Sequence, residues 1–272
     1  MISVLQEKLT QAARHMRKNI IRMTTAAGSG HPAPSFSIVE MVAALFLAEM
    51  RLDSNNVGWI DRDLFVLSKG HAAPALYAAL HEIGLISEDT MMSLRRLGSP
   101  LQGHPDMRMA GVDATSGSLG IGLSQGVGRA LGRKMRQSPG RVYAIIGDGE
   151  CQEGQIWEAA LAAVQFKLGN LAVFVDHNHY QVDGPLNQVI NVEPLADKWR
   201  AFGWRVEEIN GHDFSEILGF LERARTLEDR PSMAVAHTVK GYGVSFLAGG
   251  NNFHAKVLNA EEAQQALAEL DR

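Results

Sequence analysis

Residues 142–146 (VYAII) are apolar without a break, and the run ends abruptly in Gly147-Asp148-Gly149-Glu150. A strand that is apolar on both faces must be covered on both, the condition of a parallel sheet packed between helices. Similar segments recur at 63–68 (DLFVLS), 171–176 (LAVFVD) and 232–239 (SMAVAHTV), with 204–209 (WRVEEI) a more polar member. Between them apolar residues return at helical spacing, in 4–23, 36–50, 72–84, 153–168, 194–202 and 214–226. A glycine-rich turn at 116–122 opens another helix, and a last helix is expected within 258–272. This alternation predicts an α/β fold, a parallel sheet with helices on both faces. No repeat, low-complexity tract or linker divides it, so residues 1–272 read as one domain.

Composition narrows the function. Hydrophobic residues make up 46% of the chain and charged residues 21%, enough apolar content for a sizeable core. A net charge of −4 without a dense basic block argues against nucleic acid or an anionic membrane as partner. The N-terminal stretch lacks a signal-peptide core, and the longest apolar stretch is too short to span a bilayer. With a single cysteine, Cys151, no internal disulfide is possible, and a cytoplasmic location is expected.

Ligands of such sheets lie beyond the carboxyl ends of the strands. There the sequence places Lys69-Gly70-His71, Gly147-Asp148-Gly149, Asp176-His177-Asn178 and 237–240 (HTVK). A right-handed crossover brings Asp148 and Asn178, at successive strand ends, towards each other. Their carboxylate and amide oxygens suit Mg²⁺ or Ca²⁺ rather than Zn²⁺, with water and phosphate completing the shell. In the competing reading, Asp148 caps the following helix and Asn178 makes a turn.

Four of the ten histidines, His31, His71, His104 and His254, stand in loops beside glycine, serine, proline or asparagine. Gathered in one cleft they would be neutral near pH 7 and able to polarise hydroxyls and carry protons. His15 and His81 fall in helices, His212 in a loop at a helix start, His177 and His179 beside the metal motif, and His237 in a predicted strand. These six read as structural or supporting. Lys240 fits a phosphate or carbonyl contact and an ordinary strand-end lysine equally well, and Cys151 reads as packing.

The segment 147–149, followed by Asn178 in VDHNHYQVDG, resembles the thiamine diphosphate motif, and its surroundings resemble transketolase. The likeness runs in family order through SGHP (29–32), SKGHAAPALY (68–77), GHPD (103–106), SGSLGIG (116–122), GDGECQEGQIWEA (147–159) and VKGYG (239–243). It implies that Asp148, Asn178 and the Tyr180 carbonyl hold a cation bridging the cofactor diphosphate. His71 and His254 would reach the diphosphate and the reacting carbon, and His31 and His104 the ketose hydroxyls. Gly117 and Leu119 would offer backbone groups, and Gly149 an amide, to thiamine diphosphate. Ala33, Pro34 and Ala255 stand where the family commonly has glycine, stiffening the loop beside His31 and loosening the match at His254.

In transketolase a glutamate on a second domain promotes deprotonation of the cofactor. No second α/β unit follows residue 256 here, so the resemblance implies the N-terminal subunit of a split enzyme. Such a subunit would act on sugar phosphates only with a separate C-terminal, pyrimidine-binding subunit, in a heterodimer or heterotetramer. Glu153 and Glu158 would join a carboxylate network at that interface. Three alternatives stay open. They are a subunit of another thiamine diphosphate enzyme (deoxyxylulose-phosphate-synthase-like or 2-oxoacid type), a non-catalytic thiamine diphosphate-binding protein, and a metal-dependent phosphohydrolase.

Overall fold

The structure is a computed structural model that describes residues 3–250 and 253–272. Its centre is a five-stranded parallel sheet of β1 (Leu64–Leu67), β2 (Val142–Gly147), β3 (Leu171–His177), β6 (Arg205–Asn210) and β7 (Ser232–His237). The spatial order is β1-β2-β3-β7-β6, and β4 (Tyr180–Gln181) with β5 (Gly184–Pro185) forms a separate antiparallel pair.

Alternation along the strands sends successive residues into two cores. Phe65, Leu67, Tyr143, Ile145, Ala172 and Phe174 face a core shared with α1 (Val4–Ala27), α3 (Val39–Ala44), α4 (Ala73–Glu82), α10 (Phe214–Arg225) and α11 (Ala260–Leu270). Val66, Val142, Ala144, Ile146, Leu171, Val173 and Val175 face the other, closed by α6 (Ile121–Met135), α7 (Gly154–Gln165) and α9 (Leu195–Ala201). Short helices α2 (Pro32–Phe36), α5 (Glu88–Met91) and α8 (Leu186–Val189) complete the set. The uninterrupted apolar character of β2 and β3 is thus explained, because both faces are buried. The edge strand β6 buries only Ile209 fully, which is why its sequence tolerates Glu207 and Glu208. Among the described residues, no helix is long and apolar enough to cross a membrane.

Element ends follow local chemistry. Helix α1 begins in a capping box, with Ser3 Oγ accepting from Gln6 N–H and Gln6 Oε1 from Ser3 N–H, and it ends at Gly28 in the left-handed region. The single helix expected over 36–50 is instead three pieces, α2, α3 and a π-helical turn at Leu45–Glu49. Pro32 at the first helical position starts α2 early. Ser37 interrupts the run because its hydroxyl lies 2.9 Å from Pro34 O and 2.7 Å from Asp176 Oδ2. Ala33 and Pro34 therefore belong to a helix turn rather than to a loop. The last predicted strand also stops at His237, two residues short of expectation.

Close approach fixes one glycine. A Cβ at Gly122, in the first turn of α6, would lie 2.4–2.6 Å from Ser68 Oγ, Cα and Cβ at the end of β1. Side-chain rotation cannot relieve a contact with Cα. Gly122→Ala should lower stability by about 1–3 kcal/mol, the usual cost of overpacking, read as a drop in the thermal midpoint. An unchanged midpoint would show that α6 can shift away from β1.

Candidate functional site

The carboxyl ends of β1, β2, β3 and β7 open on one cleft of about 400 Å³. Its walls include His31, Lys69, His71, Gly117, Leu119, Asp148, Gly149, Asn178, Tyr180, Lys240 and His254. Parallel registry places Gly147 opposite Asp176, so Asp148 and Asn178 emerge from neighbouring strand tips.

Asp148 and Asn178 make the cap and the turn of the competing reading, and their oxygens stand at neighbouring strand tips. Asp148 caps the 3₁₀ turn Gly149–Gln152, its Oδ1 accepting from Gly149 N–H at 2.7 Å, while Oδ2 accepts from His179 N–H at 2.6 Å. Asn178 makes its turn, with Oδ1 accepting from Tyr180 N–H at 3.0 Å, and its amide donates to Asp176 Oδ2 at 2.8 Å. The Gly149 amide expected to meet a diphosphate is thus bonded to Asp148 in this state. Burial, then the neighbouring Asp176, pushes the Asp148 carboxyl up to about 7. A bound cation would relieve that penalty, because the nearby Lys69 ammonium is paired with Asp176. Hard oxygen donors and a carboxylate short of compensating charge fit a divalent ion.

Behind these groups lies a buried polar framework with no pattern in the sequence to announce it. Lys69 is paired with Asp176, and both side chains are almost wholly buried. Ser37, Thr238 and Asn178 also bond the Asp176 carboxylate, and Lys69 Nζ reaches Pro34 O at 3.2 Å. Burial alone would raise Asp176, but Lys69 and the hydroxyl donors hold it below its ordinary value. Glu150 is tied to the Ser68 hydroxyl and accepts from Gly120 N–H (2.8 Å) and Gly147 N–H (3.1 Å), joining three loops. Burial raises its pKa. The small β4–β5 pair, also unforeseen, helps line the cleft; Asp183, in the Val182-Asp183 turn that joins its strands, was the available signal.

Three of the four loop histidines converge. The His31, His71 and His254 rings lie 5.3–5.8 Å apart, centroid to centroid. Burial, then Arg95, lowers His31 to about 4; burial, then Lys240, lowers His254 to about 3. Burial, then Lys69, holds His71 well below its ordinary value. All three are neutral at pH 7. His104 is exposed, with its ring 3.6 Å from where a Cβ on Gly117, a residue of the cleft wall, would be. Burial, then Arg95, lowers it too. Arg95, which the sequence did not single out, lies 3.4 Å from His31 Nδ1.

Lys240, 1% exposed, lies 2.7 Å from His254 Nδ1, and burial, then Lys69, lowers it to about 8. It therefore belongs to the cleft. Glu153 is exposed at the cleft rim and Glu158 is exposed one turn along α7. Cys151 is buried, and burial raises its thiol well above the ordinary range, as packing requires. His212 stacks on Tyr242 at 3.7 Å and sits 3.0 Å from Glu40, a structural role.

A parallel sheet with a glycine-lined, oxygen-rich cleft at its carboxyl edge has the architecture of an α/β cofactor-binding protein. The model of the transketolase thiamine diphosphate-binding domain matches residues 7–271, and the chain belongs to this family. It is 44% identical over 272 residues to a 6-deoxy-6-sulfo-D-fructose transketolase subunit of Clostridium sp. (strain MSTE9), covering 100% of this chain and 99% of that protein. It is 36% identical to an apulose-4-phosphate transketolase subunit of Phocaeicola vulgatus, covering 97% and 94% of the two chains. Among solved structures, transketolase from Leishmania mexicana superposes with a TM-score of 0.92 at 29% identity, over 97% of this chain and 41% of that one. The chain thus spans about two fifths of the longer transketolases it matches.

Proposed function

We propose that this chain is the diphosphate-binding subunit of a two-chain transketolase, with residues 1–272 acting as one domain. Two findings support the division. Relatives of nearly the same length are named as subunits, and longer transketolases extend well beyond the matched region. In this reading the companion supplies the pyrimidine-binding half, the two assemble as a heterotetramer in the cytoplasm, and Glu153 and Glu158 lie at the interface. One observation carries the reading: the hard-oxygen pair Asp148 and Asn178 and the neutral histidines His31, His71 and His254 share one cleft.

Asp148, Asn178 and the Tyr180 carbonyl would hold Mg²⁺, with Ca²⁺ a workable substitute, and through it the diphosphate of thiamine diphosphate. Bound thiamine diphosphate supplies the carbon nucleophile that moves a two-carbon ketol unit from a ketose to an aldose. His71, His254 and the backbone at Gly117, Leu119 and Gly149 would position the cofactor. Neutral His31 and His104 would accept hydrogen bonds from substrate hydroxyls and move their protons as carbon–carbon bonds break and form. Lys240 and Arg95 add positive charge beside His254 and His31, which favours substrates bearing a phosphate or sulfonate.

Purified with a pyrimidine-binding companion, the chain should transfer ketol units between ketose and aldose phosphates or sulfonates in the presence of thiamine diphosphate and Mg²⁺. Alone it should be inert. Full-rate transfer by the chain alone would overturn the two-chain reading, and turnover of pyruvate but not ketoses by the pair would place the enzyme among the 2-oxoacid group.

A further inference from the structure

Three histidines read from sequence as supporting residues come together on the far side of the Asn178 loop. Paired registry sets His177, last in β3, beside His237, last in β7. His179 turns back towards them in the left-handed region, at φ 65°. One ring nitrogen from each can be chosen so that all three lie within 4.8 Å of one another. The His177 and His179 rings are 4.1 Å apart, and those of His177 and His237 5.1 Å. His177 is 3% exposed, and neither of its nitrogens has a hydrogen bond of acceptable geometry. The carboxylate of Glu193 lies 2.8 Å from His177 Nε2, near but poorly aligned, and that of Glu208 is 3.3 Å from His237 Nε2.

A buried imidazole without a hydrogen bond, facing two further imidazoles, is costly unless something else binds its lone pair. We propose that His177, His179 and His237 bind a transition-metal ion of the Zn²⁺ class, with water completing the shell. Three imidazoles suit this class and are poorly matched to Mg²⁺, whose preference is for oxygen. Zinc–nitrogen bonds of about 2.0–2.1 Å require the nitrogens to draw closer than they lie here. His179 and His237 are exposed and can rotate to achieve this, while His177 is already fixed by burial. This site is separate from the cleft that holds Asp148, although Asn178 lies between two of its ligands in the chain.

Co²⁺ titration of the full chain, carrying no histidine tag, tests the assignment. One Co²⁺ per chain should bind with the intense visible absorption of four-coordinate cobalt, and Zn²⁺ should bleach it. The double variant H179A/H237A, altered only at exposed side chains and checked for folding by circular dichroism, should lose the band and bind Zn²⁺ at least about tenfold more weakly. Excess Mg²⁺, which prefers the oxygen donors of the Asp148 cleft, should leave the band intact. Absence of the band from the wild type would overturn the proposal. So would its survival in the double variant, or its displacement by Mg²⁺, which would place the ion in the oxygen-rich cleft.

Discussion

Asp148→Asn, reconstituted with its companion subunit, is expected to bind thiamine diphosphate and Mg²⁺ about a hundredfold more weakly than the wild type. Loss of even an outer-shell partner costs a metal site 10–100-fold, and this change removes the charged ligand itself. The geometry separates ligand loss from damage to the fold. Asp148 accepts from Gly149 N–H through one oxygen and from His179 N–H through the other. An asparagine can keep one of these bonds but must point its NH₂ at the other donor, at a cost of about 1–3 kcal/mol. In the opposite direction, the variant no longer buries a carboxylate, the burden that pushes the wild-type group up to about 7. The two changes oppose each other, so the cation-free variant should melt close to the wild type. Cofactor affinity measured by equilibrium titration should carry nearly the whole effect. Wild-type affinity in Asp148→Asn would remove Asp148 from the cation site.

The same residue shows what the sequence disclosed and what it withheld. Both faces of β2 and β3 had to be buried, so continuous apolar runs were enough to identify a parallel sheet and locate its strand tips. Asp148 and Asn178 became legible because strand tips are where such sheets bind ligands. The pairing of Lys69 with Asp176 did not, although both stood at predicted strand ends. They stand 107 positions apart, and neither has a local pattern that foretells an ion pair. The broken helix at Ser37 belongs with them, since the hydroxyl that interrupts it is close to Asp176, a contact no helical periodicity could reveal. His104 illustrates the limit in the other direction. A motif placed it with the other loop histidines, and the fold sets it beside Gly117 of the cleft wall, while its exposure was not legible from the motif.

The hidden framework yields the other large expected effect. Asp176→Ala would strand the Lys69 ammonium in a nearly dry site with Pro34 O as its remaining acceptor. Breaking a buried pair from one side costs about 3–5 kcal/mol, because the surviving charge has lost both water and partner. Lys69→Met should cost less, since Asp176 would keep donors from Ser37, Thr238 and Asn178. Urea unfolding midpoints should rank the two variants in that order, and the double variant should fall short of the sum of the single losses. The pH dependence has a fixed sign. Asp176 is held below its ordinary value in the folded protein, so its contribution is fully present above pH ~4 and disappears as acid titrates the folded group. The gap between Asp176→Ala and wild type should therefore persist from pH 8 to 5 and narrow below 4. Asp176→Ala also frees the Asn178 amide, which donates to Asp176 while its oxygen serves the opposite side of the turn. Cation affinity should fall with stability in that variant, although Asp176 is a positioning residue and not itself proposed as a ligand. If Asp176→Ala kept full affinity for Mg²⁺ and thiamine diphosphate, the orientation of Asn178 would have to be set by the backbone of its loop alone.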